Sequence, residues 1–162
     1  NWAPAAIARA NVAYRPTHES DHCLDVTVEA LIRNGFDVSA TLLLFTVIER
    51  VTRIYGSRLG RHAEDQVLLA LREQAEESLA AAIDRVNERV SEPVAISTTI
   101  LEGDTVTTAL SKRNWDDADL IVTGSTGAGP LRRVFLGDMA YKLIRAATIP
   151  VMVIPRSAFV TD

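Results

Sequence analysis

The chain has 162 residues, a length that one hydrophobic core can serve. Its formal charge of −4 excludes the basic footprint of a nucleic-acid binder, and its single cysteine, Cys23, excludes an internal disulfide and gives no sign of an oxidising compartment. With 48% hydrophobic and 23% charged residues it reads as a soluble globular chain, without an apolar run long enough to span a bilayer and without a visible leader.

The first expected strand is Ile7 to Tyr14, although Arg9 and Asn11 are poor company for a buried strand. Pro16 breaks it. Glu19 to Arg33 carries Leu24, Val28, Leu31 and Ile32 at helical spacing, and Asn34-Gly35 is a helix stop. Val38 to Ile48, dense in apolar and β-branched residues, predicts a buried strand. Arg50 to Arg61 reads as a loop. Ala63 to Val90 predicts a long helix with an apolar stripe through Leu71, Leu79, Ile83 and Val86, ended by Pro93. Val94 to Leu101 is the expected third strand, after which Gly103 turns the chain and Asp104 or Thr105 caps a helix through Ser111.

The unit from Asp119 to Pro155 organises the rest. Leu120-Ile121-Val122 is an apolar run ending in a loop with Gly124, Gly127 and Gly129. A basic and apolar segment follows, Gly137 and Asp138 open an amphipathic helix, and Val151 to Ile154 closes the unit as a strand. Alternation of strands and helices predicts an α/β domain over residues 1–162, a parallel sheet with helices on both faces. Ligands of such sheets sit where strand carboxyl ends meet helix amino termini. The glycines admit close approach, and free N–H groups after Gly137 favour an anion, but the spacing matches neither a Walker loop nor the dinucleotide fingerprint. A tight strand-to-helix crossover explains the same three glycines without a ligand.

Other candidates are weaker. His18 and His22, four apart and beside Cys23, have a metal-compatible spacing, but there is no HExxH, and a polar helix start with a buried Cys23 is the simpler reading. Ser125 in its glycine loop lacks the first glycine of a nucleophile elbow, since Thr123 stands there. Asp116, Asp117 and Asp119 precede the fourth strand, the wrong end for a ligand, and read as a solvated turn; Trp115 beside them reads as packing a helix end.

Gly124, two residues, Gly127, nine residues and Gly137 resemble the nucleotide motif of the universal stress protein family. The flanks Asp117 to Val122 and Pro150 to Ile154, and the turn Glu102-Gly103-Asp104, resemble it too, and the likeness is strongest from Val94 onward. The resemblance implies a Rossmann-like three-layer α/β/α domain, five parallel strands in the order 3-2-1-4-5. It implies a dimeric cytoplasmic module that binds ATP or a related adenine nucleotide in a stress-linked or regulatory role, and no enzyme beyond slow ATP hydrolysis. Gly124, Gly127, Gly137 and the N–H of Asp138 would cradle phosphates, with Thr123, Ser125 and Thr126 as secondary candidates. Ala13, Tyr14, Arg15 and Pro16 would line the adenosine side, and Val47 and Met139 complete the implied site. Dimerisation would run through the last strand, Val151, Met152, Val153 and Ile154. An edge-covering tail, Arg156 to Asp162, is the alternative.

Two positions depart from the family. The Asp usual after the first strand is absent from Ala13-Tyr14-Arg15-Pro16-Thr17, where Arg15 is either a phosphate attractor or a solvated loop residue. Asp138 stands where Ser or Thr is usual. Its carboxylate caps the same N–H groups a phosphate needs and repels the phosphate, at a cost on the order of a few kcal/mol. Arg132 and Arg133, or a bridging Mg²⁺, would offset part of it. The alternative function is a family member without nucleotide, acting as a dimerisation or regulatory domain. It would be an appendage of a larger protein such as a transporter, an expectation that a first residue Asn1 rather than Met also raises.

Overall fold

The computed structural model describes residues 9–50, 60–125 and 138–155. Five strands, β1 (Arg9–Ala13), β2 (Leu42–Glu49), β3 (Ser97–Gly103), β4 (Asp119–Gly124) and β5 (Val151–Ile154), form one sheet in the order β3-β2-β1-β4-β5. Every pairing is parallel. Val12 of β1 lies between Leu44 of β2 and Val122 of β4, so the reversal of strand order falls between β1 and β4.

Alternation along β2 serves two cores. Leu42 and Leu44 pack with Cys23, Leu24 and Val28 of α1 (His18–Arg33) and with Leu79, Ala82 and Val86 of α3 (Arg61–Asn87). Leu43, Phe45 and Val47 pack with Val106, Ala109 and Leu110 of α4 (Val106–Ser111) and Leu143 of α5 (Asp138–Ala146). Burial on both faces is what lets a parallel strand dispense with polar residues.

Several expectations need correction. The segment from Val38 is not strand throughout: Val38–Thr41 is one helical turn, α2, begun by Asp37, whose carboxylate accepts the Ser39 N–H at 3.0 Å. The first strand is limited to Arg9–Ala13 within the described residues, and α1 starts at His18, capped by Thr17. The long helix begins at Arg61 and stops at Asn87, before Pro93, because the Asn87 side chain turns the chain by accepting the Val94 N–H at 2.8 Å. β3 therefore starts at Ser97, not Val94. Thr105 caps α4. β5 is half-buried, with Met152 45% exposed on the edge.

Asp119 is no solvated turn residue: it is 1% exposed. Its carboxylate accepts the Asn11 amide at 3.1 Å and the Asp116 N–H at 2.8 Å, and it lies 3.2 Å from the Arg9 guanidinium. This explains why β1 tolerates Arg9 and a fully buried Asn11, as a charge taken out of water needs a partner and filled hydrogen bonds. Trp115 packs at the end of α4, its indole N–H donating to the Leu110 carbonyl at 3.0 Å and its ring edge-on to Phe45.

Candidate functional site

At the carboxyl ends of β1, β2 and β4, where the strand order reverses, lies a cavity of about 160 Å³. Crevices at this place in open parallel sheets are where ligands bind. Three segments far apart in sequence make its walls: the β1–α1 turn, the end of β4 with the start of α5, and Phe45 and Val47 of β2.

The turn is fixed by short-range hydrogen bonds. The Thr17 hydroxyl accepts the Ser20 N–H at 3.2 Å and starts α1, and the Arg15 N–H donates to the Ser20 hydroxyl at 3.2 Å. The Tyr14 N–H donates to the Phe45 carbonyl at 2.8 Å, and the Thr46 hydroxyl donates to the Tyr14 carbonyl at 3.1 Å, which ties the turn to β2. Tyr14 is 5% exposed and its hydroxyl donates to Asp21 at 2.6 Å. Burial above all, then that hydrogen bond, raises its pKa. Asp21 leads on to Arg85 of α3, which holds Asp25 through two bonds of 2.8 Å, and Arg89 joins Asp25 at 3.0 Å.

Gly124 has a packing reason of its own. A Cβ there would meet the Glu19 carbonyl oxygen at 2.7 Å and the Cys23 Cβ at 3.3 Å. Gly103 is similar, with the Ala109 nitrogen 2.6 Å from a Cβ. These glycines let α1 and α4 lie close against strand ends.

Of the predicted residues, Ala13, Tyr14, Arg15, Val47, Thr123, Gly124 and Met139 line the cavity, and Pro16 lines an adjoining one. Ser125 does not: it is 1% exposed and its N–H donates to the Ile154 carbonyl at 3.0 Å, continuing the β4–β5 ladder. Asp138 opens α5. Thr126, Gly127, Arg132, Arg133 and Gly137 lie outside the described residues. Thr17, Glu19, Ser20, Phe45 and Ala140 also line the cavity and were not foreseen. The Thr17-x-x-Ser20 capping pattern was the available signal for the first three, and the alternation of β2, which puts Phe45 on the face of Val47, for the fourth.

Cys23 is fully buried beneath this site, and burial pushes its thiol up to about 12. Among the described residues no group of three His, Cys, Asp or Glu is placed to hold a metal ion. Nor is any described helix long and apolar enough to cross a membrane.

The model of the universal stress protein family matches residues 11–155. The chain belongs to the universal stress protein family. A universal stress protein of Mycobacterium tuberculosis is 34% identical over 124 residues, which are 76% of this chain and 40% of that protein. The chain thus spans two-fifths of the length of this relative. Among solved structures, a universal stress protein family member from Burkholderia pseudomallei is similar over 95% of this chain and all of its own, at TM-score 0.63 and 20% identity. A universal stress protein of Archaeoglobus fulgidus, determined in complex with dAMP, is similar over 91% of this chain and 96% of its own, at TM-score 0.50 and 16% identity. These likenesses show the shared fold, the five-stranded parallel sheet of this universal stress protein included.

Proposed function

We propose that residues 1–162 form one domain that binds an adenine nucleotide, ATP or a close relative, at the crevice between β1 and β4. It would serve a stress-linked or regulatory role in the cytoplasm, as the family resemblance implies, with at most slow hydrolysis. The observation that carries this is the cavity at the reversal of strand order, lined together by Ala13, Tyr14, Arg15, Val47, Thr123, Gly124 and Met139. The family membership and the dAMP bound by the Archaeoglobus protein support the ligand class. Gly124, Gly127, Gly137 and the Asp138 N–H would take the phosphates, helped by Thr123, Thr126, Arg132 and Arg133. Ala13 to Pro16 and Val47 would line the adenosine. A Mg²⁺ ion would bridge Asp138 to phosphate. Ser125, which is buried and not among the residues lining the cavity, stays a secondary candidate.

The test is calorimetric titration of ATP with Mg²⁺ into the parent chain and into Asp138→Ser. Binding by the parent at micromolar concentration is the expected result. Binding gained only in Asp138→Ser would show a site switched off by its carboxylate, and silence in both would end the nucleotide reading.

A second reading has its own observation. Gly124 is required by the close approach of Glu19, so this part of the glycine motif stands without a phosphate. The chain would then act by dimerisation through β5, as a regulatory appendage of a longer protein. The edge position of β5 and the exposed Met152 support the pairing in either reading. Met152→Lys is expected to shift a dimer toward monomer in sedimentation equilibrium, and an unchanged mass would move the interface away from β5.

A further inference from the structure

The crevice cavity, at about 160 Å³, is smaller than the roughly 300 Å³ at which small-molecule sites begin. An adjoining cavity of about 400 Å³ reaches that range. Tyr14, Arg15, Thr17 and Val47 line both, so the β1–α1 turn is a shared wall. The far wall of the larger cavity is Leu71, Gln74, Ala75 and Ser78 of α3, with Ile48 of β2. Nothing in the sequence motif points to α3.

We propose, resting on the nucleotide reading, that the adenine base lodges in this larger cavity with the Gln74 side-chain amide on its edge, while the ribose crosses Tyr14 and Arg15 and the phosphates reach the crevice. The chemistry of the walls favours this placement. Ala75 and Ile48 are buried and Leu71 half-buried, which gives an apolar contact for a flat ring. Three of the polar groups around them are already engaged. The Thr46 hydroxyl donates to the Tyr14 carbonyl at 3.1 Å, the Ser78 hydroxyl to the Gln74 carbonyl at 2.8 Å, and Glu49 is paired with Lys142 at 2.8 Å. The Gln74 amide makes no hydrogen bond among the described residues, and Gln74 is an exposed residue of the cavity wall.

A glutamine amide presents one donor and one acceptor side by side. Adenine offers the complement, an amino donor beside a ring-nitrogen acceptor. Along the edge that carries N7, guanine offers two acceptors, N7 and O6, where adenine offers N7 and its amino group, which leaves the glutamine carbonyl facing an acceptor in the same pose. The proposal therefore predicts a preference for ATP over GTP of about tenfold or more.

Three probes separate the parts: ATP, GTP and inorganic tripolyphosphate, titrated into the 162-residue chain and into Gln74→Ala and Ser78→Trp. The parent is expected to favour ATP. Gln74→Ala, on the exposed side of α3, is expected to bind ATP and GTP about equally, with ATP weakened about tenfold or more and tripolyphosphate unchanged. Ser78→Trp fills the cavity and is expected to lose ATP while keeping the parent's response to tripolyphosphate. The parent's ATP-to-GTP ratio surviving in Gln74→Ala overturns the proposal, as does unchanged ATP affinity in a Ser78→Trp protein with a native melting transition. If Ser78→Trp does not fold, Gln74→Ala decides alone. A parent that binds neither nucleoside triphosphate overturns the nucleotide reading itself, a result distinct from ATP binding that ignores Gln74.

Discussion

Gly124 stands where β4 hands over to the glycine loop, and the main chain of Glu19 leaves no room there for a side chain. Gly124→Ala is therefore expected to lower stability without any ligand present, by about 1–3 kcal/mol, as an overpacked site does. Urea unfolding of the ligand-free protein measures this; no loss would mean that the glycine serves only a ligand. Cys23, against the same backbone, gives a pH effect of definite sign. Burial raises its pKa from 9.0 to about 12, so the fold favours the protonated thiol. That contribution is complete below the unfolded value and is lost as pH rises through the folded one, which weakens the fold from about pH 9 toward pH 12. Tyr14, raised by burial and by Asp21, acts in the same direction. Unfolding curves taken across this range should show falling stability, with a shallower fall in Cys23→Ala; a flat profile contradicts the account. At this scale the sequence was legible where a residue type has one strong reason, as at Gly35, whose φ of 77° ends α1. It was not legible at Asp119, because the partners that bury it, Asn11 and Arg9, come from a strand more than a hundred residues earlier.

At the scale of elements, α1 and α3 are held by the Arg85–Asp25 pair and its neighbours as well as by their apolar faces. Arg85 is 39% exposed, so solvent screens the pair and Arg85→Ala should cost only about 1 kcal/mol, less at high salt. Urea unfolding at low and high salt checks this, and a loss of several kcal/mol or one indifferent to salt would contradict it. Long helices were readable from periodicity and buried strands from short apolar runs, which is why β5 was foreseen at Val151–Ile154. Boundaries were not, because side-chain caps set them: Asp37 makes a helical turn of residues with strand-like composition, and Asn87 turns the chain before Pro93 is reached. The α3 wall of the larger cavity was invisible for a related reason, since the apolar stripe tells that the helix packs but not that Gln74 and Ser78 face the end of β2.

Across the whole molecule, the parallel order β3-β2-β1-β4-β5 places Ala13 and Gly124 at neighbouring strand ends although they are far apart in the chain. Strand alternation implied a parallel sheet, and the family resemblance supplied the order, so the general place of the crevice followed from the chain itself. The effect of charge on it did not, because Arg15 and Asp138 depart from the family pattern in opposite senses. The central claim is that an adenine nucleotide occupies this end of the sheet and no other. Amide chemical shifts of the labelled protein, followed while ATP with Mg²⁺ is added, test it most directly. The account predicts saturable shifts at Tyr14, Arg15, Thr123, Gly124 and Met139, with Asp116 and Asp119 at the opposite end of the sheet unmoved. Shifts confined to that opposite end, or none at millimolar ATP, would contradict it.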